Sequence, residues 1–355
     1  MVEFWTSTRS LPDVAVDAAV RAEAAGWDGM TFTDSQNRSG DPYVAMTAAV
    51  LRTDDLKVAT GVTNPLTRHP AVTAGAALCV HHLSGSGRVE IGIGRGDSSL
   101  AHLGLAPAPP AAFREYLEDL HTYINGGSIS LERASRGATH TIDDLPLAST
   151  PEDSRIRYIE TSGIPKPYPQ VFITGSGPKV IEIGANTVDR VALAVGASPE
   201  RVSWGAQLAR DANPEIDLAA YVVMVVDDDF AAAKKLAGGS VTSFARFSVM
   251  HGTASGPSSD AARGVFESIP RQYDMAKHFT SDNEANELPD EFVREYAILG
   301  SADYCVERLH ELVELGISRF HVIGASFDVD PADAQRAEGR LADEVLPRAR
   351  QLAVS

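Results

Sequence analysis

The chain repeats one arrangement of apolar and polar positions: a short β-branched run, a polar turn, and then an alanine-rich stretch. Such runs predict strands, and apolar residues three and four positions apart predict helices with one buried face. The first predicted helix, over 12–25, carries Val16, Ala19, Val20 and Ala24 on that face and stops at Gly26. The whole pattern predicts eight strands, over 2–7, 28–33, 57–62, 88–94, 170–174, 190–195, 218–226 and 319–323.

The alternation of strands and helices is interrupted twice. Residues 127–168 are rich in Ser, Gly, Pro and charge, and residues 251–289 contain few apolar side chains. We interpret both as insertions, after the fourth and seventh strands, which are either linkers or mobile lids over a site. Helices are predicted elsewhere, from residue 42 and over 70–82, 110–124, 179–186, 199–211, 302–315 and 332–352.

Eight strand–helix units favour an α/β fold of one kind, a closed (β/α)8 TIM barrel with insertions after strands 4 and 7. The strands are mostly continuous apolar runs, as in a parallel sheet that is covered on both faces. An open doubly wound sheet would need only five or six of the units. We therefore expect one domain over residues 1–355, with its active site on the loops that follow the strands.

The charge, the apolar runs and the cysteine and histidine positions argue against several functional classes of protein. The 355 residues include 31 basic and 48 acidic side chains, a net charge of −17, so nucleic acid or an anionic membrane is not the expected partner. No apolar run reaches the length of a membrane span, and the N-terminus has no secretory pattern. Cys79 and Cys305 have no metal or disulfide spacing, which fits the cytoplasm. The histidines also lack metal-site spacing, so no metal is expected.

Four polar loops at strand ends could carry chemistry. Two glycine-containing loops suit an anionic ligand, since exposed backbone N–H groups and a helix N-terminus attract phosphate. These loops comprise Gly94, Arg95, Gly96, Asp97 and Ser98 after the fourth strand, and Thr174, Gly175, Ser176, Gly177 and Pro178 after the fifth. Asp34 and Ser35 follow the second strand, and Thr63 and Asn64 follow the third. Each loop also has a purely structural interpretation: a tight turn, or a helix cap at Asp34.

Four segments in order carry a resemblance to a known family: TDS at 33–35, TGVTNPLTRHPA at 60–71, GRVEIGIGRGD at 87–97 and ITGSGP at 173–178. The chain resembles the bacterial-luciferase-like superfamily of flavin- and deazaflavin-dependent oxidoreductases, and within it the methylenetetrahydromethanopterin reductase-like members. The resemblance implies that Asp34, Thr63 and Asn64 line the cofactor ring. It also implies that the two glycine loops hold the ribityl chain and phosphate, and that a cis peptide at Gly61–Val62 supports the ring.

Two departures from the family pattern affect the expected chemistry. Many relatives have histidine where this chain has Ser35, which removes the obvious acid/base imidazole and leaves the proton donor open, with Asp34 and Ser35 as the candidate catalytic residues. Arg95 resembles the arginine that holds the flavin phosphate in luciferase, whereas the deazaflavin reductase has a proline-type residue there.

The resemblance implies a coenzyme F420-dependent oxidoreductase that transfers a hydride between the deazaflavin and an imine, enone or carbonyl. One alternative is an FMN-dependent monooxygenase that uses O2 and a separate flavin reductase. Another is a non-catalytic barrel subunit. A small-molecule substrate and a homodimer are the expected partners.

Overall fold

Eight parallel strands form a closed barrel in the computed structural model, which describes residues 1–85, 87–250, 252–283 and 286–352. Each strand pairs in parallel with its neighbours in chain order, and the last strand pairs with the first. The predicted (β/α)8 barrel is confirmed. Its strands are β1 Glu3–Thr8, β2 Gly29–Phe32, β3 Lys57–Thr60, β4 Val89–Ile93, β5 Gln170–Gly175, β6 Arg190–Leu193, β7 Asp217–Val226 and β8 Arg319–Ile323.

Helices cover the outside of the barrel and connect consecutive strands. Most begin with proline in their first turn, where its missing N–H costs no hydrogen bond. The longer helices are Pro12–Ala24, Pro42–Val50, Pro70–Ser84, Pro110–Ile124, Pro178–Thr187, Pro199–Ala212, Phe230–Phe247, Asp260–Gln272, Asp290–Tyr296, Ala302–Glu314 and Pro331–Arg340. The last of these continues through a π-helical turn at Leu341–Val345 into Leu346–Ala349.

The sequence pattern missed helix Phe230–Phe247, which follows β7. Its inner face consists largely of small residues, among them Gly239, Ser240 and Ser243, which give little apolar signal. Small side chains are required there, because a Cβ at Gly239 would lie 2.4 Å from the carbonyl oxygen of Thr280. Helix Phe230–Phe247 therefore packs closely against the second insertion.

The second insertion is more ordered than its composition suggested. Helix Asp260–Gln272 lies within it and buries Val265, Phe266 and Ile269 on one face. Beyond the insertion, a short strand, Ile298–Gly300, extends the sheet by pairing with the end of β7. Residues 251, 284 and 285 of the predicted 251–289 segment lie outside the described residues.

The first insertion lies against the outer helices. Its two-residue strands Ser128–Ile129 and Ser154–Arg155 pair antiparallel, and they flank a short helix, Leu131–Ala134. The Tyr158 hydroxyl donates to the carbonyl oxygen of Gly75 at 2.7 Å, within helix Pro70–Ser84. The first insertion therefore packs on helix Pro70–Ser84, on the outside of the barrel.

An ionic cluster closes the amino end of the barrel. The buried Glu90 carboxylate accepts two hydrogen bonds from Arg319, at 2.6 and 3.0 Å, and one from Arg190 at 2.9 Å. Arg319 also forms an ion pair with Glu3 and lies over the Trp5 ring. Since these residues lie near the starts of their strands, their side chains occupy the amino end of the barrel.

Candidate active site

A cavity of about 970 Å³ lies at the carboxyl ends of the barrel strands. The loops after β2, β3, β4 and β5 contribute to its wall, as expected for a barrel of this type. The residues that were predicted for the site and line the cavity are Asp34, Ser35, Gly61, Val62, Thr63, Gly94, Arg95, Gly96, Asp97, Ser98, Thr174, Gly175, Ser176, Gly177 and Pro178. Four separate stretches of sequence thus meet at one place.

Asp34 is a buried carboxylate with two hydrogen-bond donors. The Thr63 hydroxyl donates to Oδ2 at 2.6 Å, and the Gln36 side-chain amide donates to Oδ1 at 2.7 Å. Burial raises the pKa of the Asp34 carboxyl above its ordinary value, while the Thr63 hydrogen bond and the Arg68 charge oppose that rise. The neighbouring Ser35 is half-buried, and its backbone N–H donates to the Ser39 hydroxyl at 3.0 Å. Asp34 therefore does not act as the cap of the following helix, whose cap is Asp41.

The predicted cis peptide at Gly61–Val62 is confirmed. Gly61 packs directly against β2, and a Cβ at this position would lie 2.4 Å from the Cβ of Thr31. Gly94, on the next loop, faces Val62 in the same way: an added Cβ would lie 2.9 Å from Val62 Cγ2. These glycines bring the two loops together on the cavity wall beside Asp34.

Asn64 does not line the cavity, in contrast to the expectation that it would contact the ring. The residue is fully buried, and its Oδ1 accepts hydrogen bonds from the backbone N–H groups of Leu66 and Thr67 at 3.0 and 3.1 Å. Its amide lies 3.4 Å from Gln36 Oε1. Asn64 thus shapes its own loop and supports the Gln36 side chain that contacts Asp34.

The loop after β4 holds two charged side chains in defined places. The Arg95 Nε donates to the carbonyl oxygen of Ala108 at 2.6 Å, and Asp97 forms an ion pair with Arg246. Gly96 has a φ of +80°, and a Cβ there would lie 2.3 Å from Leu100. Glycine is therefore required at position 96 both by backbone conformation and by packing.

The loop after β5 leads into helix Pro178–Thr187, which begins without a capping side chain. The Ser176 hydroxyl donates to the carbonyl oxygen of Phe247 at 2.7 Å, so this loop is tied to helix Phe230–Phe247. The uncapped N-terminus opens on the cavity, since Gly177 and Pro178 both line it. An anionic group at this end of the helix would be stabilised by its dipole and N–H groups.

The sequence matches the family of luciferase-like monooxygenases over residues 4–319. The chain belongs to this family. Among its curated relatives is the 5,10-methylenetetrahydromethanopterin reductase of Archaeoglobus fulgidus, which is 25% identical and aligns with 92% of this chain and 93% of its own length. The corresponding reductase of Methanopyrus kandleri is 26% identical, with 92% of each chain aligned.

The fold of a solved luciferase-like relative agrees with the barrel described above. The coenzyme F420-dependent tetrahydromethanopterin reductase of Methanopyrus kandleri superposes with a TM-score of 0.70 at 22% identity and covers 98% of this chain and 99% of its own. An F420-dependent secondary alcohol dehydrogenase, in complex with an F420–acetone adduct, superposes with a TM-score of 0.65 at 18% identity, covering 99% of each chain.

Three buried hydroxyls, those of Thr33, Thr174 and Tyr221, lie on the wall of this luciferase-like cavity. The Thr33 hydroxyl has no hydrogen-bond partner within the described residues, whereas those of Thr174 and Tyr221 lie close enough to interact with each other. Burial raises the pKa of the Tyr221 phenol against the opposing effect of Thr174, so the phenol is neutral at neutral pH. Since buried polar groups with unused hydrogen-bonding capacity are costly, the three hydroxyls suit a ligand with a polar, hydrogen-bonding edge. A flavin or deazaflavin ring has such an edge, and the residues present fit it.

Part of the remaining cavity wall is an aromatic cluster, which the sequence pattern did not identify. Phe244, Phe247, Phe279 and Phe327 form a connected cluster, with ring centroids 5.2–5.9 Å apart. Phe244 and Phe247 have helical spacing that could have been recognised, whereas His278 and Phe279 lie in the insertion without a periodic pattern. The first insertion contributes no described residue to the cavity wall, so only the second lies over the site.

Neither a metal centre nor a membrane span appears in the described ranges. They contain no group of three His, Cys, Asp or Glu side chains placed to hold a metal ion. No helix within 1–85, 87–250, 252–283 or 286–352 combines the length and apolar content needed to cross a bilayer.

Proposed function

We propose that this luciferase-like enzyme is a coenzyme F420-dependent oxidoreductase that transfers a hydride between the deazaflavin and an imine, enone or carbonyl substrate. One observation carries the proposal. The buried Asp34 carboxylate, which accepts hydrogen bonds from Thr63 and Gln36, lines the same cavity as the cis Gly61–Val62 peptide and the two glycine loops. The aligned reductases and the F420-dependent structural neighbours support the choice of cofactor.

The chain's own residues would bind and orient the cofactor. When bound, the deazaflavin would supply the two-electron hydride chemistry. The hydroxyls of Thr174 and Tyr221 would form hydrogen bonds to the polar edge of the ring, and the Asp34 carboxylate would place a negative charge near the ring. Arg95 and the start of helix Pro178–Thr187 would hold the phosphate. The aromatic cluster would exclude water and favour a substrate with an apolar body.

An FMN-dependent monooxygenase is the second candidate, because Arg95 lies on the cavity wall and the family description names monooxygenases. Such an enzyme would receive reduced flavin from a separate reductase. Mass spectrometry of ligand extracted from protein that is expressed in an F420-producing host distinguishes the two. We expect F420 in the extract; FMN in its place would support the monooxygenase.

A homodimer is the assembly that we propose. Helices Pro42–Val50 and Pro70–Ser84 leave Val44 and Val72 more than half exposed, and Leu51, just after the first of them, is 61% exposed. Helix Pro42–Val50 is apolar around most of its circumference, which is typical of a helix covered on two sides. Sedimentation should show a dimer that Val44→Glu dissociates; a wild-type monomer at high concentration would contradict the proposal.

A further inference from the structure

His278 of the second insertion reaches the cavity wall. The residue is 4% exposed, and the chain on both sides of its ring is tied down. Arg38, from the loop that carries Asp34 and Ser35, donates to the His278 carbonyl oxygen at 3.1 Å. The backbone N–H of Phe279 donates to the Ser243 hydroxyl at 3.0 Å. The insertion thereby places an imidazole in the same cavity as Asp34 and Ser35.

A chain of hydroxyl groups fixes the orientation of this imidazole. The Tyr273 hydroxyl is hydrogen-bonded to His278 Nδ1, and it also lies 2.8 Å from the Ser243 hydroxyl. Ser243 accepts from the Phe279 N–H and keeps its own hydroxyl proton for a second hydrogen bond. When Ser243 donates to Tyr273 and Tyr273 donates to Nδ1, both hydroxyl protons are used and the imidazole hydrogen lies on Nε2; this tautomer is part of the inference below and is tested with it. Nε2 has no partner within the described residues.

The surrounding charges keep His278 neutral. Burial lowers the pKa of the imidazole well below its ordinary value, and the charges of Arg246, Arg38 and His102 lower it further. Burial raises the pKa of the Tyr273 phenol, against the opposing effects of Ser243, Arg246 and Arg38. The Arg246 guanidinium lies 5.1 Å from the centre of the Tyr273 ring and is paired with Asp97. A neutral imidazole in this position can donate from Nε2 to an oxygen or nitrogen acceptor.

We propose that His278 is the catalytic residue that exchanges a proton with the substrate oxygen or nitrogen, and that Tyr273 positions it and restores its proton. This inference rests on the proposed hydride-transfer function. In reduction, the substrate carbon gains a hydride with both electrons, and the π electrons move to the heteroatom. The heteroatom takes the proton from Nε2, while the Tyr273 proton passes to Nδ1. The Tyr273 phenolate that remains would lie beside Arg246 and take a proton from solvent. When bound, the reduced cofactor would supply the hydride, and the single N–H proton freed by its oxidation would balance the proton taken from solvent.

The test uses full-length protein with ¹⁵N-labelled histidine side chains, and it begins with a fluorescence titration of F420. His278→Gln removes the proton donor, Tyr273→Phe removes the positioning hydroxyl, and His140→Gln, at an exposed position of the first insertion, is the matched control. All four proteins should bind F420 within about threefold of each other. Failure of the wild type to bind F420 would count against the proposed function itself, and the His278 tautomer would still be readable in the apo-protein.

The imidazole resonance that disappears in His278→Gln should report a neutral ring with its proton on Nε2 at pH 7. Tyr273→Phe should shift it, and His140→Gln should not. Adding cyclohex-2-en-1-one to protein loaded with oxidised F420 should move the same resonance, and His278→Gln should reduce this enone with reduced F420 about 10²- to 10⁴-fold more slowly. A proton on Nδ1, a resonance unmoved by the enone, or turnover of His278→Gln at the wild-type rate would overturn the inference.

Discussion

The pKa of the Asp34 carboxyl in the cavity results from opposing effects. Burial disfavours its charged form, whereas the Thr63 and Gln36 donors and the Arg68 charge favour it. The pKa is raised, so burial is the larger effect. An acid whose pKa is higher in the folded state than in the unfolded chain destabilises the fold at pH values above its unfolded pKa.

Asp34→Asn should therefore leave the apo-protein at least as stable as wild type at pH 7. The difference should shrink as the pH falls through the raised pKa of Asp34 toward the ordinary aspartate pKa of about 4, below which the carboxyl is protonated in both the folded and the unfolded state. Cofactor-dependent turnover should fall by tenfold or more, because the fixed charge at the ring is gone. Urea unfolding at the two pH values and steady-state kinetics measure both effects; turnover within threefold of wild type would exclude an electrostatic or proton-transfer role.

Arg95 is the residue that should distinguish phosphate recognition from loop structure. Arg95→Ala should weaken binding of FMN or F420 by about ten- to a hundredfold, since a charge-assisted hydrogen bond contributes roughly 1.5–3 kcal/mol. Loss of the hydrogen bond to Ala108 should also cost about 1 kcal/mol of apo stability. The phosphate-free controls, riboflavin and the deazaflavin core, should bind equally to both proteins. Equal losses for phosphorylated and unphosphorylated forms would assign Arg95 to the loop alone.

The sequence predicted which loops form the cavity, but it did not predict every side-chain direction. Asp34 follows β2 and Arg95 follows β4, the strands on either side of β3, and the carboxyl ends of all barrel strands lie at the same rim, so the presence of both residues in one cavity could be inferred. Asn64 points into its own turn, because the backbone N–H groups of Leu66 and Thr67 bind its side chain. His278 depends on Arg38, Ser243 and Tyr273, which are brought together only by long-range packing. Neither the hydrogen bonds of Asn64 within its turn nor the long-range contacts of His278 produce a periodic pattern of apolar residues in the sequence.

Among the secondary-structure elements, helix Pro199–Ala212 carries a buried arginine that anchors the first part of the second insertion. Arg201 is 1% exposed and donates to the carbonyl oxygens of Val195, Ser255 and Pro257 at 2.8, 2.9 and 2.6 Å. Its guanidinium also lies 4.9 Å from the centre of the Phe266 ring. This anchor explains how a segment with few apolar residues forms part of the cavity wall, an arrangement that hydrophobic periodicity cannot predict.

Arg201→Ala should release the anchored segment. We expect a loss of about 3–5 kcal/mol in unfolding free energy, because several buried carbonyl groups lose their donor. Limited proteolysis should cut near residues 252–258 before the barrel unfolds. Arg210→Ala, on the same helix with one hydrogen bond to the Leu315 carbonyl oxygen, is the control and should lose only about 1 kcal/mol. Similar unfolding energies and cleavage patterns for the two variants would contradict the assignment.

At the scale of the whole molecule, the barrel's amino end should make stability sensitive to acid. Burial alone would raise the pKa of Glu3, but Arg319 and Lys57 hold it at about 2. A carboxyl with a lowered pKa stabilises the fold above its unfolded pKa, and that stability is lost as the pH falls through the folded value. Glu3 joins β1 to β3 and β8 through these ion pairs, so it connects both sides of the first strand.

Glu3→Gln should cost on the order of 2 kcal/mol at pH 7, and the difference from wild type should diminish between about pH 5 and pH 2. Unfolding by guanidinium chloride across this pH range measures the difference in unfolding free energy, and Glu152→Gln, at an exposed position, is the control. A pH-independent difference would mean that Glu3 acts by packing and not by charge.

Deazaflavin binding in the barrel cavity can be measured by anaerobic equilibrium titration of the purified apo-protein with F420 and with FMN, each followed by its own fluorescence. We expect saturable 1:1 binding of F420 that is at least tenfold tighter than binding of FMN. Tighter binding of FMN, or no saturable binding of F420 at high micromolar concentrations, would contradict the proposed deazaflavin binding.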